Sequence, residues 1–215
     1  IAMLKGALKL YIERSDLFIK LISQHLMLSA ISIAIAAVLG LLLGIYISEN
    51  KKLAPFVMGA VNTIYTIPSI SLFGLFIPIT GIGDKTAVIV IVLYGILPMV
   101  RGTYTGIDNI EESVIEAAVG MGSTPFQILY KIKLPLAAIV ILSGLRNLIV
   151  MTISVAGIAS FIGSGGMGVA IYRGIATNNQ AMTIAGSLLI AAMALISDFL
   201  LGLLELLIKK KRRIA

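Results

Sequence analysis

Arg146 and Asp198 each stand inside a long apolar run, His25 opens another, and residues 116–135 form a charged, turn-containing island between two more. None of these makes a catalytic set. His25 has no second metal-type ligand near it, so no metal site is expected and the residue reads as a polar group at the membrane interface. Ser32, Ser71, Thr152 and Ser154 have no His and Asp companions and read as helix-packing or path-lining hydroxyls. The glycine cluster Gly163–Gly168 follows an apolar run and lacks the Lys-Ser or Lys-Thr of a phosphate cradle, which excludes nucleotide binding and leaves a flexible outer loop or broken helix near an external gate. With no cysteine in the chain, disulfides and thiol chemistry are excluded as well. What remains is pairing, docking and passage.

Arg146 lies about eleven residues above Pro135 and Asp198 about ten above the end of its run, which at ~1.5 Å per residue brings the two to nearly one depth. A buried charge needs a partner or a wet cavity. An Arg146–Asp198 ion pair is therefore expected, in preference to an Arg146 that lines a path. Glu205 is expected to offset part of the basic tail.

Residues so placed need membrane-spanning elements to hold them. The chain has 215 residues, 59% hydrophobic and 13% charged, with a mean hydropathy of +1.05, more apolar surface than one water-soluble core can bury. Residues 4–22 alternate apolar and charged positions at helical spacing and predict an amphipathic interfacial helix, the first of three regions (1–22). The membrane-spanning region (23–208) holds five predicted spans, at about 24–47, 53–79, 86–105, 134–162 and 181–208. Pro68 should kink or break the second and Pro98 the third. A basic tail (209–215) ends the chain. Placing that tail in the cytoplasm puts ten Lys or Arg residues on that side, against Lys85 and Arg173 in the opposite loops. The net charge of +7 is thus topological, and nucleic acid is not an expected partner.

The island is locally specified. Asp108 is expected to cap a short helix from Asn109, with Glu111 in its first turn, and Gly120 and Gly122 to give it a left-handed exit. Thr124-Pro125-Phe126-Gln127 reads as a capping box opening a second helix, which Pro135 should end while starting the fourth span. Met121, Phe126, Ile128 and Leu129 are candidate apolar anchors for a docking partner, whereas Val114, Ala117 and Ala118 read as packing against the bundle.

Glu-Ala-Ala, three residues, Gly, nine residues, Ile, one residue, Leu-Pro falls on Glu116, Ala117, Ala118, Gly122, Ile132, Leu134 and Pro135. This spacing resembles the cytoplasmic coupling signature of permease subunits of bacterial ABC importers. Further likeness runs through Thr66-Ile67-Pro68-Ser69, residues 97–107, Ser143-Gly144-Leu145-Arg146 and residues 159–168. Together these look like the osmoprotectant branch, which takes up glycine betaine, carnitine, choline and related compounds. Arg101-Gly102-Thr103-Tyr104 stands where that branch usually has Arg-Asn-Thr-Tyr, and Gly165-Gly166-Met167-Gly168 where it has Gly-Gly-Leu-Gly.

The resemblance implies an all-α fold of the type I importer permease, preceded by the amphipathic helix, in a bacterial cell membrane with its C-terminus in the cytoplasm. It implies a non-catalytic subunit with no cofactor of its own, ATP and Mg being held by a cytoplasmic ATPase dimer. The other partners implied are a second permease, identical or similar, and an extracellular binding protein that carries high-affinity selection. Coupling would fall to Glu116, Ala117, Ala118, Gly122, Phe126, Ile132, Leu134 and Pro135. A quaternary ammonium is held by aromatic faces, and without any Trp the candidates for a path or gate are Tyr65, Pro68, Ser69, Tyr94, Pro98 and Tyr104. Importers of methionine, ergothioneine or another small zwitterion share this layout. A channel or secondary transporter working without an ATPase is the alternative of a different class.

Overall fold

The computed structural model describes residues 2–212, and all its regular structure is helical. Helix α1 (Ala2–Glu13) is followed after one residue by α2 (Ser15–Glu49). The predicted 4–22 helix thus divides at Arg14, and its second half forms the first turns of the first span. Helix α1 lies along the start of the last helix, α10 (Gln180–Arg212). Ala7 is buried there, and the Tyr11 hydroxyl donates to the Ala185 carbonyl at 2.8 Å. Residues 209–212 of the basic tail continue α10, and residues 213–215 lie outside the described residues.

The second crossing is a broken one. Helices α3 (Ala54–Thr66) and α4 (Ser69–Thr80) meet at 98°. Pro68 has no N–H to donate, and its ring holds Ile67 extended (ψ 126°), so the elbow follows directly from the sequence. Arms of ~20 and ~18 Å at a right angle span ~27 Å, close to a hydrocarbon core. Their outer ends confirm the crossing: α3 starts beside the Lys51–Asp108 pair (2.9 Å), and α4 stops next to α5 (Asp84–Asp108), whose first residue is at the opposite end of the bundle.

The centre of the bundle is α2, α5 and α8 (Leu134–Ala159), packed through small residues as membrane helices require. A Cβ at Gly44 would sit 2.5 Å from Thr103 Cβ, and one at Gly102 would sit 3.0 Å from Gly144 Cα. Ser32 and Thr152 are buried in this packing, whereas Ser71 and Ser154 are exposed.

At the Asp84 end the chain fastens itself. After a short 3-10 turn (Ser160–Ile162) the glycine cluster folds back and leads into α9 (Gly168–Ala176). Ser164 Oγ donates to Asp84 Oδ1 at 2.6 Å, Gly166 N–H to Gln24 Oε1 at 3.3 Å, and Met167 N–H to His25 Nδ1 at 3.3 Å. The left-handed backbone at Gly163 (φ 79°) and Gly166 (φ 98°) permits the fold-back. His25 is therefore not an interfacial residue. It is fully buried, and because Nδ1 accepts from Met167, the ring proton sits on Nε2 and is donated to the Ile153 carbonyl at 3.0 Å.

Candidate coupling surface and translocation cleft

The island at the other end consists of α6 (Glu112–Gly120), a tight turn and α7 (Pro125–Ile128). Asp108 does not cap α6. Helix α5 continues through it, because Thr103, Gly106 and Ile107 are still buried against neighbouring helices, and the break comes at Glu111 (ψ 132°), the residue before α6. Freed from capping, Asp108 accepts from Lys51 and pushes that ammonium above its usual range.

Gly122 closes α6. Its φ is +80°, its N–H donates to Val119 O at 2.9 Å, and Ser123 N–H donates to Ala118 O at 3.1 Å. These two bonds are a Schellman motif with Gly122 at the left-handed position. Two residues later the capping box forms: Gln127 N–H to Thr124 Oγ1 at 3.3 Å, and Thr124 N–H to Gln127 Oε1 at 2.9 Å. Each helix end thus satisfies its own backbone groups without help from the bundle.

Pro135 does not end the second helix. Leu134 stays helical (φ −61°, ψ −43°), and residues 129–133 widen into a π-turn in which Leu134 N–H reaches back five residues to Leu129 O. One extra residue in the turn accommodates the proline, so 125–162 run on as a single rod. Lys133 ties its root to Glu49 at 2.6 Å.

The exposed face of the island is apolar. Met121 (79% exposed), Phe126 (74%), Tyr130 and Val119 all face outward, and Phe126 and Tyr130 are parallel at 6.3 Å. Glu116, Ala117 and Val114 are exposed beside them, so of the three residues assigned to packing only Ala118 packs. Ile128 is buried and Leu129 half-buried, which removes Ile128 as an outward anchor. Ile132, Leu134 and Pro135 are half-buried where the rod enters the bundle.

The rod forms one wall of an open cleft of about 600 Å³, lined by Tyr65 from α3, Pro98 and Arg101 from α5, Gly144 and Asn147 from α8, and Asp198 from α10. Of the expected path residues the structure brings Tyr65 and Pro98 here. Tyr94 stands behind Tyr65, with ring centroids 5.7 Å apart. Pro68 and Ser69 form the elbow, while Tyr104 packs instead against the cluster of Ile47, Ala54 and Val100. Sequence reasoning missed Arg101 and Asn62, whose side chains join across α5 and α3 at 2.8 Å; the charge of Arg101 had been counted with the topology.

Arg146 and Asp198 form a bidentate pair, Nε to Oδ1 and Nη2 to Oδ2, both at 2.6 Å. Glu205 lies 3.6 Å from Arg146 Nη1 and also accepts from Ser143 and pairs with Lys209. This chain of charges locks α10 to α8. Among the described residues no group of three or more His, Cys, Asp or Glu side chains could hold a metal ion.

Residues 36–210 match the family described as the binding-protein-dependent transport system inner membrane component. The chain is 44% identical over 169 residues to the ergothioneine transport permease/ergothioneine binding protein EgtU of Helicobacter pylori, covering 79% of this chain but 31% of that protein's length. It is 41% identical to the carnitine transport permease protein OpuCD of Listeria monocytogenes (85% of this chain, 82% of the relative). It is 39% identical to the glycine betaine/carnitine/choline transport system permease protein OpuCD of Bacillus subtilis (88% and 84%). A chain of the inward-facing MetNI methionine ABC transporter superposes with a TM-score of 0.83 over 91% of this chain and 98% of that one, at 22% identity, a likeness of fold.

Proposed function

Because the chain belongs to the family of inner membrane components of binding-protein-dependent transport systems, and so is a non-catalytic, multi-pass permease subunit of an ABC importer that works with ATPase and binding-protein partners, we propose that its cargo is a quaternary-ammonium osmoprotectant such as glycine betaine, carnitine or choline. The observation that carries the proposal is mechanical: the apolar face of the island and one wall of the cleft belong to a single rod, residues 125–162. The island faces the cytoplasm and seats Met121, Phe126 and Tyr130 in a partner ATPase, with ATP and Mg on that partner. Closure of an ATPase dimer pushes α6 and α7, the rod carries the push past the π-turn, and the Gly102–Gly144 contact and the Arg146–Asp198 pair move α5 and α10 with it. Paired with a second permease, the open side of the cleft becomes the path. Ergothioneine is the second reading, favoured by the 44% identity to the Helicobacter pylori protein, and it carries the same trimethylammonium and carboxylate groups.

The test is uptake by the permease reconstituted with its ATPase and binding protein. ATP-dependent accumulation of glycine betaine or carnitine, abolished by Gly122→Asp together with loss of ATPase co-purification, is expected. Flux through the purified chain without any ATPase would overturn the proposal.

A further inference from the structure

We propose that Arg101 and Tyr65 form a low-affinity subsite for a zwitterion in the cleft, Arg101 receiving the carboxylate and Tyr65 the quaternary ammonium, so that this subunit itself prefers betaines over choline. The inference rests on the osmoprotectant reading above and adds a selectivity to it.

Arg101 is a cation within the wall of a span, seven residues before the end of α5. Among the described residues its one hydrogen bond is to a neutral group, Asn62 Oδ1 at 2.8 Å, and no carboxylate lies within salt-bridge distance. The contrast with Arg146, fully engaged by Asp198 and close to Glu205, is direct. A guanidinium presents donors in a planar fork that matches a carboxylate. Asn62 occupies part of that fork and steadies it, and Arg101 lines the cleft.

Tyr65, a residue 44% exposed, lies one helical turn beyond Asn62 on α3 and lines the same cleft. Tyr94 lies against it at a 50° tilt, and an aromatic face is what holds a quaternary ammonium. Depth gives the orientation. Along α3 Tyr65 lies ~5 Å farther from the Lys51 end than Asn62, the residue that holds Arg101. Asp198 also borders the cleft, its charge balanced by Arg146. A short zwitterion therefore meets a positive charge without a carboxylate partner at one end and an aromatic face at the other. Choline, which has no carboxylate, meets only the second half.

The measurement is equilibrium binding of radiolabelled glycine betaine to the purified permease–ATPase complex, with choline as competitor, alongside uptake by the same complex with its binding protein in proteoliposomes. Wild type should bind glycine betaine more tightly than choline. Arg101→Gln should weaken glycine betaine about tenfold or more, the value of a charge-assisted hydrogen bond, and leave choline unchanged or slightly tighter as the repulsion between two cations is relieved, erasing the preference. Tyr65→Leu should weaken both ligands and Tyr65→Phe neither. Should Arg101→Gln reduce the amount of assembled complex, Arg101→Lys keeps the charge and should restore both assembly and part of the preference; restored assembly without preference overturns the subsite. Equal losses for both ligands in Arg101→Gln, or no binding by wild type, also overturn it. Uptake by wild type combined with an inert Arg101→Gln sinks the subsite alone, whereas no uptake of any of these cargoes sinks the osmoprotectant reading with it.

Discussion

The two ends of the bundle satisfy their polar groups in opposite ways. At the Asp84 end, Gln24, His25 and Asp84 come from two spans to bind backbone and hydroxyl groups of one glycine loop, and His25 is fully buried. At the Lys51 end, the island satisfies its backbone within itself, through Gly122 and the Thr124 capping box, and leaves its apolar side chains outside. The first arrangement depends on tertiary packing. The second is locally preorganised and unfinished, which is what a docking element requires, because little ordering entropy remains to oppose binding.

The sharpest way to break this contrast is at α9. A Cβ at Gly168 would lie 1.8 Å from the backbone oxygen of Gly157, an atom that cannot turn aside. Gly168→Ala should cost about 3 kcal/mol or more, the upper part of the overpacking range, and appear as loss of folded chain in size-exclusion and thermal unfolding in detergent. At the island the same assay should register nothing for Phe126→Ala, since the ring is mostly solvent-facing. Affinity for the ATPase should instead fall about 30-fold or more, as for an aromatic anchor worth ~2 kcal/mol. A Phe126→Ala chain that unfolds early with unchanged ATPase affinity would show the island to be packing after all.

His25→Ala comes next in size. It leaves the buried Met167 N–H without an acceptor and should cost about 1–3 kcal/mol of chain stability, while ATPase affinity stays at the wild-type value. Equal loss of both would mean that the two ends are not separable.

What could be read from the sequence follows the same division. Gly122, the capping box and the Pro68 elbow were legible because each is a local backbone requirement of the residues concerned. The Arg146–Asp198 pair was legible because span ends fix depth. Asp108 as a cap and Pro135 as a helix end were local rules overridden, the first by α5 packing on past its expected end and the second by one extra residue in a π-turn. The burial of His25 and the cleft position of Arg101 depend on segments more than 120 and nearly 40 residues away, and no periodicity carries that information.

The smallest effect is expected at the Lys51–Asp108 pair, and it sharpens the contrast by its dependence on conditions. Lys51 is 74% exposed and joins the α2–α3 turn to the end of α5 across solvent. Such pairs are weak and screened by salt. Lys51→Ala should therefore be barely distinguishable from wild type in thermal unfolding, and any difference should vanish near 1 M salt, where the screening length falls to about 3 Å. The hydrogen bond to Asp108 raises the Lys51 pKa above its usual 10.5. Its contribution is then fully present below that value and lost as pH rises through the raised one. Wild type and Lys51→Ala should differ by a constant small amount from pH 6 to 9 and converge only in strong alkali. Convergence near neutral pH would place the titrating group outside this pair.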